Sequence, residues 1–456
     1  MALRFYSNSV FKDKRLEYRF SKVCERLSES LSTSVAQAAT TWGETKAIYR
    51  FWDNRRVTPE RQLAFHYKKL EGCLNSACNT GFILQLSDSV ELDFTGKRCG
   101  KLLGPLSFVR QRGLILHNSL LVSSSGCPLG LLKQSFLQRR DEDFGKKRQR
   151  ASAPMETKES SRWLRHLQAG EEFCRQNPTL TCVYVADREA DIMQLLAHTR
   201  VTNMHFVIRS HYNRSLCQEA GQLRDAVDKT PVAGTYRLML RCSPKRSARK
   251  TTLQLRFCSV CVAAPKPGQA PVSLYVVDVQ EINPYIKGDE LVHWRLLTTL
   301  PLENFQQALQ IVRFYSLRWL IERFHFALKS GGAQVEELQL ATPQRLKNAI
   351  TSYSIASMEA LSLRYWAEKT PQADVYSIGV TPLECEVLFI YAQKRLKLKT
   401  AFDPQKPPNV QQYCILLGQI TGFFPSKRQP IPGVKILARS LEKLQVLVDA
   451  YVTFFQ

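Results

Sequence analysis

Residues 181–210 read TCVYVADREADIMQLLAHTRVTNMHFVIRS. The apolar run TCVYVA ends on Asp187, ADIMQLLAH follows with helical spacing, and HFVIRS returns to a strand pattern. Strand, helix and strand in succession predict an α/β domain with a mixed sheet. Upstream, FILQLSD from Phe82, LILHNSLLVS from Leu114 and PLGLLKQSF from Pro128 are short apolar runs parted by glycine and polar turns, and they supply further strands. Residues 139–161, with KKRQR at 146–150, are charged and poor in apolar side chains, as in an exposed loop. A helix is expected around Ser161 to Cys174.

Downstream, residues 215–290 alternate in segments such as TYRLMLRC, TTLQLRFCSVCVAA and VSLYVVDVQ, joined by the basic SPKRSARK and the Pro/Gly-rich APKPGQAP. They predict a β-rich insertion, with helical patterning resuming after LVHWRLLTTLP. Cys258 and Cys261 form the one CxxC motif, but strand-like alternation surrounds them, so buried strand cysteines are expected rather than a zinc site. The stretch from Tyr315 to Lys329, YSLRWLIERFHFALK, then predicts a single helix stopped by Gly331 and Gly332. On it Tyr315, Arg318, Glu322 and Lys329 fall in a stripe roughly 60° wide, beside an apolar face of Leu317, Ile321, Phe324 and Leu328. Taken alone, that stripe reads as a solvated face with an Arg318–Glu322 ion pair, or as a site where an acid binds metal and cations hold phosphate.

The chain of 456 residues exceeds what a single core supports, so two to four domains are expected. Its 64 Lys and Arg against 40 Asp and Glu leave a formal charge of +24, which points to a polyanionic partner. With no transmembrane-length apolar run and no signal-peptide core, the residues predict a soluble intracellular protein with no membrane partner. Thirteen scattered cysteines fit reduced thiols. Residues 13–31, a segment after Ser34, and Glu44 to Asp53 predict short helices. Lys46, Arg50, Arg55 and Arg56 interleave there with Tyr49, Phe51 and Trp52, a basic and aromatic pattern suited to DNA or to a merely structural bundle. Residues 343–367 predict a helix, Thr370 to Thr381 a linker, and Val434 to Phe454 a helix whose apolar face serves either core or a subunit contact.

Three acids stand out: Asp88, which ends the apolar part of FILQLSD, Asp187, which ends TCVYVAD, and Glu322. Carboxylates at strand ends lie where ligands bind in α/β sheets, and several together suit a pair of hard divalent ions. Each acid on its own reads equally as a cap.

DREADI at 187–192, with the spacing Tyr315, Arg318, Glu322 and Lys329, resembles the bacterial cut-and-paste DDE transposases of the insertion sequence 4 type. DKRLEYR at 13–19 and AIYRFWDN at 47–54 are similar to that family's amino-terminal DNA-binding domain; TPLECEVLF at 381–389 and PGVKILARSLEKLQVLVDAY at 432–451 are similar to its carboxyl-terminal dimerisation domain. The resemblance implies a ribonuclease H-like α/β catalytic core at 71–369, with the β-rich insertion at 215–290. It also implies a helical DNA-binding domain at 1–70 and a helical dimerisation domain at 370–456. It assigns Asp88, Asp187 and Glu322 to two Mg²⁺ or Mn²⁺ ions; SDSVELDF departs from the family's usual acid and two threonines, so Glu91 and Asp93 compete for the first place and Asp88 is preferred because it ends the apolar run. Tyr315, Arg318 and Lys329 would hold transposon-end phosphates, Trp294 would stack on a flipped base, and Arg209 would join the basic residues of the active site.

The activity so implied is a homodimeric transposase of the bacterial cytoplasm and nucleoid that acts on double-stranded DNA. It would bind terminal inverted repeats, cut by metal-dependent hydrolysis through a hairpin, and join freed 3′ ends to target DNA. Competing expectations are a metal-dependent nuclease of the same core without strand transfer, and a catalytically inactive DNA-binding inhibitor of transposition. The residues lack the signatures of common RNA-binding modules.

Overall fold

The computed structural model describes residues 10–31, 34–77, 81–145, 154–217, 221–240, 247–264, 269–282 and 290–455. The expected basic run 146–150 lies outside them, as do 243–246 and 265–268 of the two expected linkers and the last two residues, 241–242, of the expected strand TYRLMLRC. The chain divides into two compact units: Met1–Asn79, Ser89–Gln149 and Leu320–Gln456 in the first, Thr80–Asp88 and Arg150–Trp319 in the second.

The first unit opens with helices α1 (Lys14–Glu29), α2 (Val35–Ala38), α3 (Trp42–Asp53) and α4 (Pro59–Ala77). Asp13 and Thr41 start α1 and α3 by accepting backbone N–H bonds from Arg15 and Glu44, which satisfies donors that a helix start leaves orphaned. Phe11, Phe20, Phe51 and Phe65 pack ring against ring, with centroids 5.5–6.2 Å apart. The strand β1 (Phe82–Asp93) begins in the second unit and ends in the first. There it neighbours β3 (Arg112–Ser123), which also pairs antiparallel with the two-residue β2 (Gly104–Pro105) and with β4 (Pro128–Leu137).

The second unit carries α5 (Ser161–Gln176), β5 (Thr181–Ala186), α6 (Met193–Leu196), β6 (Met204–Arg209), α7 (Leu223–Lys229), β7 (Gly234–Leu240), β8 (Arg249–Val262), β9 (Val272–Glu281), β10 (His293–Thr298) and α8 (Phe305–Leu317). β1, β5 and β6 run parallel, and β10, β9, β8 and β7 follow as antiparallel neighbours. This mixed sheet with its helices fits a ribonuclease H-like core. Ile83–Ser87 and Cys182–Ala186 are buried throughout, because helices cover both faces of parallel strands and leave no solvent side for polar alternation. One cover is α5: Gln85 donates to His166 O at 2.7 Å, and Gly170 leaves no space for a Cβ against Gln85 and Met204. The other is α8, whose Phe314 ring meets Phe82 at 5.6 Å.

The stretch expected to be β-rich holds β7, β8 and β9, which continue the sheet beyond β10. Within the stretch whose alternation predicts strands lies α7, a short helix started by a reciprocal pair of bonds between Gln222 and Asp225. Within β8, Cys258 lies opposite Val276 and Cys261 opposite Ser273, so their odd spacing sends them to opposite faces and separates the CxxC pair.

In the first unit, α9 (Trp319–Lys329) leads to α10 (Pro343–Lys369), α11 (Pro382–Leu396), α12 (Val410–Gln419) and α13 (Val434–Phe455). The expected single helix from Tyr315 to Lys329 is two helices. Arg318 keeps a helical backbone (φ −49°, ψ −34°) but donates its N–H to Tyr315 O, a three-residue turn that interrupts the ladder between α8 and α9. The central helix of this unit is α10, packed against α1, α3, α4, β4, α12 and α13. Asn348 on α10 donates to Trp52 O and Val57 O at 2.8 and 2.9 Å, and Ser352 accepts from the Trp52 indole at 3.0 Å. On α13, Leu437, Leu444 and Val448 are buried in this unit, while Val446 and Phe454 are exposed. The stretch Thr370 to Thr381 contains a 3-10 turn, Val375–Ile378. Among the described residues no helix is long and apolar enough to cross a membrane.

Candidate active site

The parallel ladder pairs Phe82 with Thr181 and Leu86 with Val185. Carried two residues further, the same register sets Asp88 beside Asp187 on neighbouring strands, whose usual separation is about 4.8 Å. Period-two alternation puts Asp88 on the face of Phe82, the face that α8 covers. The expectation that Asp88 closes its strand is corrected: β1 continues to Asp93, and what stops near Asp88 is the parallel pairing. Asp187 follows β5 directly and accepts from Glu189 N at 2.9 Å, so it also caps the 3-10 turn Arg188–Ala190.

Arg318, at the turn between helices, donates to Asp88 Oδ2 at 2.9 Å, and both side chains are more than four-fifths buried. The carboxylate and the guanidinium thus neutralise each other. One turn earlier, Tyr315 is buried with its ring 5.2 Å from that of Trp294 at 67°, an edge-to-face contact that leaves Trp294 half-buried. Burial pushes the Tyr315 phenol up, while the charges of Arg318 and Arg209 oppose that shift. Arg209 ends β6, its register partner is Leu296, and it donates to His293 O at 3.0 Å. Asp88, Asp187, Arg209, Trp294, Tyr315 and Arg318 all belong to the second unit.

A residue missed as a site candidate lies inside the motif that drew attention. Asp191, the second aspartate of DREADI, is 1% exposed and accepts from His211 N at 2.7 Å, Tyr212 N at 3.0 Å and Arg214 Nε at 3.1 Å. It clamps the loop that leaves β6 immediately after Arg209, and with it the exposed Tyr212. The only sequence signal was an unexplained acid four residues after Asp187.

Glu322 and Lys329 stand on α9 in the first unit. Leu320, Ile321, Phe324 and Leu328 are buried beneath that helix, and His325 bonds to Asn118 of β3 at 3.0 Å, so the half-buried Glu322 rides on a fixed support. Lys329 donates to Glu91 O at 3.0 Å and pairs with Glu336 at 2.9 Å. Glu91 also accepts from Ser107 Oγ at 2.8 Å, and Asp93 holds Thr95, which gives both acids local structural partners.

Lys46 and Arg50 are exposed on α3 at i, i+4 spacing. Of the flat aromatic surfaces expected there, Tyr49 is half-buried and the other two are corrected. Phe51 and Trp52 are buried at 2% and 0% exposure, and the exposed aromatic is Trp42, with Lys46 Nζ 5.3 Å from its ring centre.

The carboxylates of Asp88 in β1 and Asp187 just after β5 are hard oxygen donors of the kind Mg²⁺ or Mn²⁺ takes, and in donor type they fit such an ion. Among the described residues, no group of three or more His, Cys, Asp or Glu side chains is gathered closely enough to hold a metal.

Residues 5–57 match the transposase DNA-binding family, and residues 166–358 match the transposase DDE domain family. The first span contains Lys46 and Arg50; the second contains every site candidate above except Asp88 among those from β1 onward.

Proposed function

We propose that this chain, which carries the DNA-binding and DDE domains of a DNA transposase, is a cut-and-paste enzyme of the insertion sequence 4 type. The observation that carries this reading is the strand register that sets Asp88 beside Asp187, with Arg318 on the former. Asp88, Asp187 and Glu322 would hold divalent metal ions, which in such sites activate a water and stabilise the leaving oxygen of an in-line displacement. Asp88 would exchange Arg318 for this role, releasing the guanidinium to meet a phosphate of the transposon end. Tyr315, Arg318, Arg209 and Lys329 would then compensate the negative charge that grows on phosphate oxygens. Trp294, turned from its contact with Tyr315, would offer a face to an unstacked base.

In this reading water first frees a 3′ hydroxyl at the transposon end. That hydroxyl attacks the opposite strand to close a hairpin, a second water reopens it, and the 3′ end attacks target DNA. Lys46 and Arg50 would bind the inverted repeat through its phosphates. A homodimer formed through the carboxyl-terminal helices would let each subunit bind one end.

The test is incubation with Mg²⁺, a donor bearing the repeats that flank the gene, and a target plasmid. Joined product, lost in Glu322→Ala and Asp187→Ala while end binding persists, is the expected outcome. Cleaved donor without joining identifies a nuclease instead. End binding without any cleavage identifies an inactive binding protein.

A further inference from the structure

We propose that Cys217 and Cys261 are an oxidation site, a thiol pair that closes to a reversible disulfide at the margin of the β-insertion. Their sulfur atoms lie 2.9 Å apart. The backbone holds them there: Leu216 and Val262 form an antiparallel bridge, with Cys217 N bonded to Cys261 O and Ala263 N to Ser215 O, both at 2.9 Å. Cys217 and Cys261 are therefore directly opposed at a hydrogen-bonded position, where Cα atoms stand about 5.5 Å apart, inside the range a disulfide spans. Closing the bond needs rotation of two side chains and no change of backbone path.

Access separates this pair from six of the other described cysteines, while Cys24 and Cys258 share the partial exposure of Cys261. Cys217 is exposed and Cys261 partly so, while Cys99, Cys127, Cys174, Cys182, Cys385 and Cys414 are buried. Cys174 and Cys182 also contact one another, but at 1% and 0% exposure neither meets a dissolved oxidant. Cys258, the partner that the CxxC spacing suggested for Cys261, points to the other face of β8. With hydrogen peroxide as oxidant, the Cys217 thiol becomes a sulfenic acid and one water leaves. The Cys261 sulfur then attacks that sulfur, the S–O bond breaks, and the oxygen departs as a second water. Two thiols and one peroxide thus give one disulfide and two waters, and a dithiol reductant reverses the change. The bond would tie the segment after Arg214, already clamped by Asp191, to β8.

The experiment treats the full-length protein with hydrogen peroxide, removes the oxidant with catalase, denatures, alkylates free thiols and counts adducts by intact mass. Two of the thirteen cysteines should escape alkylation, and a peptide linking Cys217 to Cys261 should appear and vanish on reduction. Cys217→Ser and Cys261→Ser should each restore full alkylation, Cys258→Ser should not, and the oxidised wild type should melt ~5 °C above the reduced form. Alkylation of all cysteines after peroxide, a linked peptide joining another pair, or protection that survives in Cys217→Ser overturns the proposal. The reading from Cys217→Ser alone is sufficient should Cys261→Ser fail to fold.

Discussion

Replacing Asp191 by asparagine tests how the loop after β6 is held. The carboxylate is fully buried and carries bonds from His211 N, Tyr212 N and Arg214, whose own side chain is only 13% exposed. Asparagine keeps the shape but presents one oxygen and an NH₂ group, so either the two backbone N–H groups or the guanidinium lose their acceptor. Removing one partner of a buried ion pair costs about 3–5 kcal/mol, since the remaining charge stays desolvated. For a unit of this size each kcal/mol is worth roughly 2–4 °C, so melting should fall by ~10 °C. In the double-mutant cycle with Arg214→Gln, the two losses should be non-additive by more than about 1 kcal/mol. End cleavage measured well below the melting point should also drop, because Arg209 immediately precedes the clamped loop. An Asp191→Asn protein that melts within ~2 °C of wild type and cleaves normally would refute the reasoning.

Lys46→Ala and Arg50→Ala should each lower the slope of log affinity against log salt by about one while leaving melting unchanged, and an unaltered slope removes that face of α3 from the phosphate contacts. Burial alone would raise the Glu281 carboxyl, but Arg249, Thr251 and the Val292 N–H outweigh it and hold the group at about 2, below the ordinary 4.5. That depression contributes ~3 kcal/mol, present in full above pH ~4.5 and lost as pH falls toward 2, and Glu281→Gln should flatten acid unfolding measured over that window. Asn348→Leu leaves two buried carbonyls, of Trp52 and Val57, without their donor. A loss of ~2–4 kcal/mol is expected in denaturant unfolding, and an unchanged midpoint would mean those carbonyls find other partners.

Strands buried on both faces show as near-continuous apolar runs, so β1 and β5 were legible from FILQLS and TCVYVA alone. Alternation likewise exposed β7, β8 and β9, whereas the single polar stripe expected from Tyr315 to Lys329 is divided between α8 and α9. Periodicity is a local property, and it ends where contacts between distant segments begin. The turn at Arg318 sits in a stretch whose propensities are helical on both sides, so the break between α8 and α9 leaves no mark in composition. Trp52 and Trp42 are chemically alike; whether a tryptophan meets DNA or core depends on α10, about 300 residues away.

By itself, then, the order of residues determined the α/β class, the strands of the β-rich stretch and the basic character, because these follow from side-chain periodicity and residue chemistry. Tertiary structure decided the rest. Only the β1–β5 register, continued two residues past Leu86 and Val185, brings Asp88 level with Asp187. Only packing shows that Arg318 serves Asp88, that Asp191 is a clamp, and that Cys261 faces Cys217 rather than Cys258. Each of these pairs joins residues far apart in the chain, and their proximity is fixed by the summed burial of whole strands and helices, which no local pattern encodes.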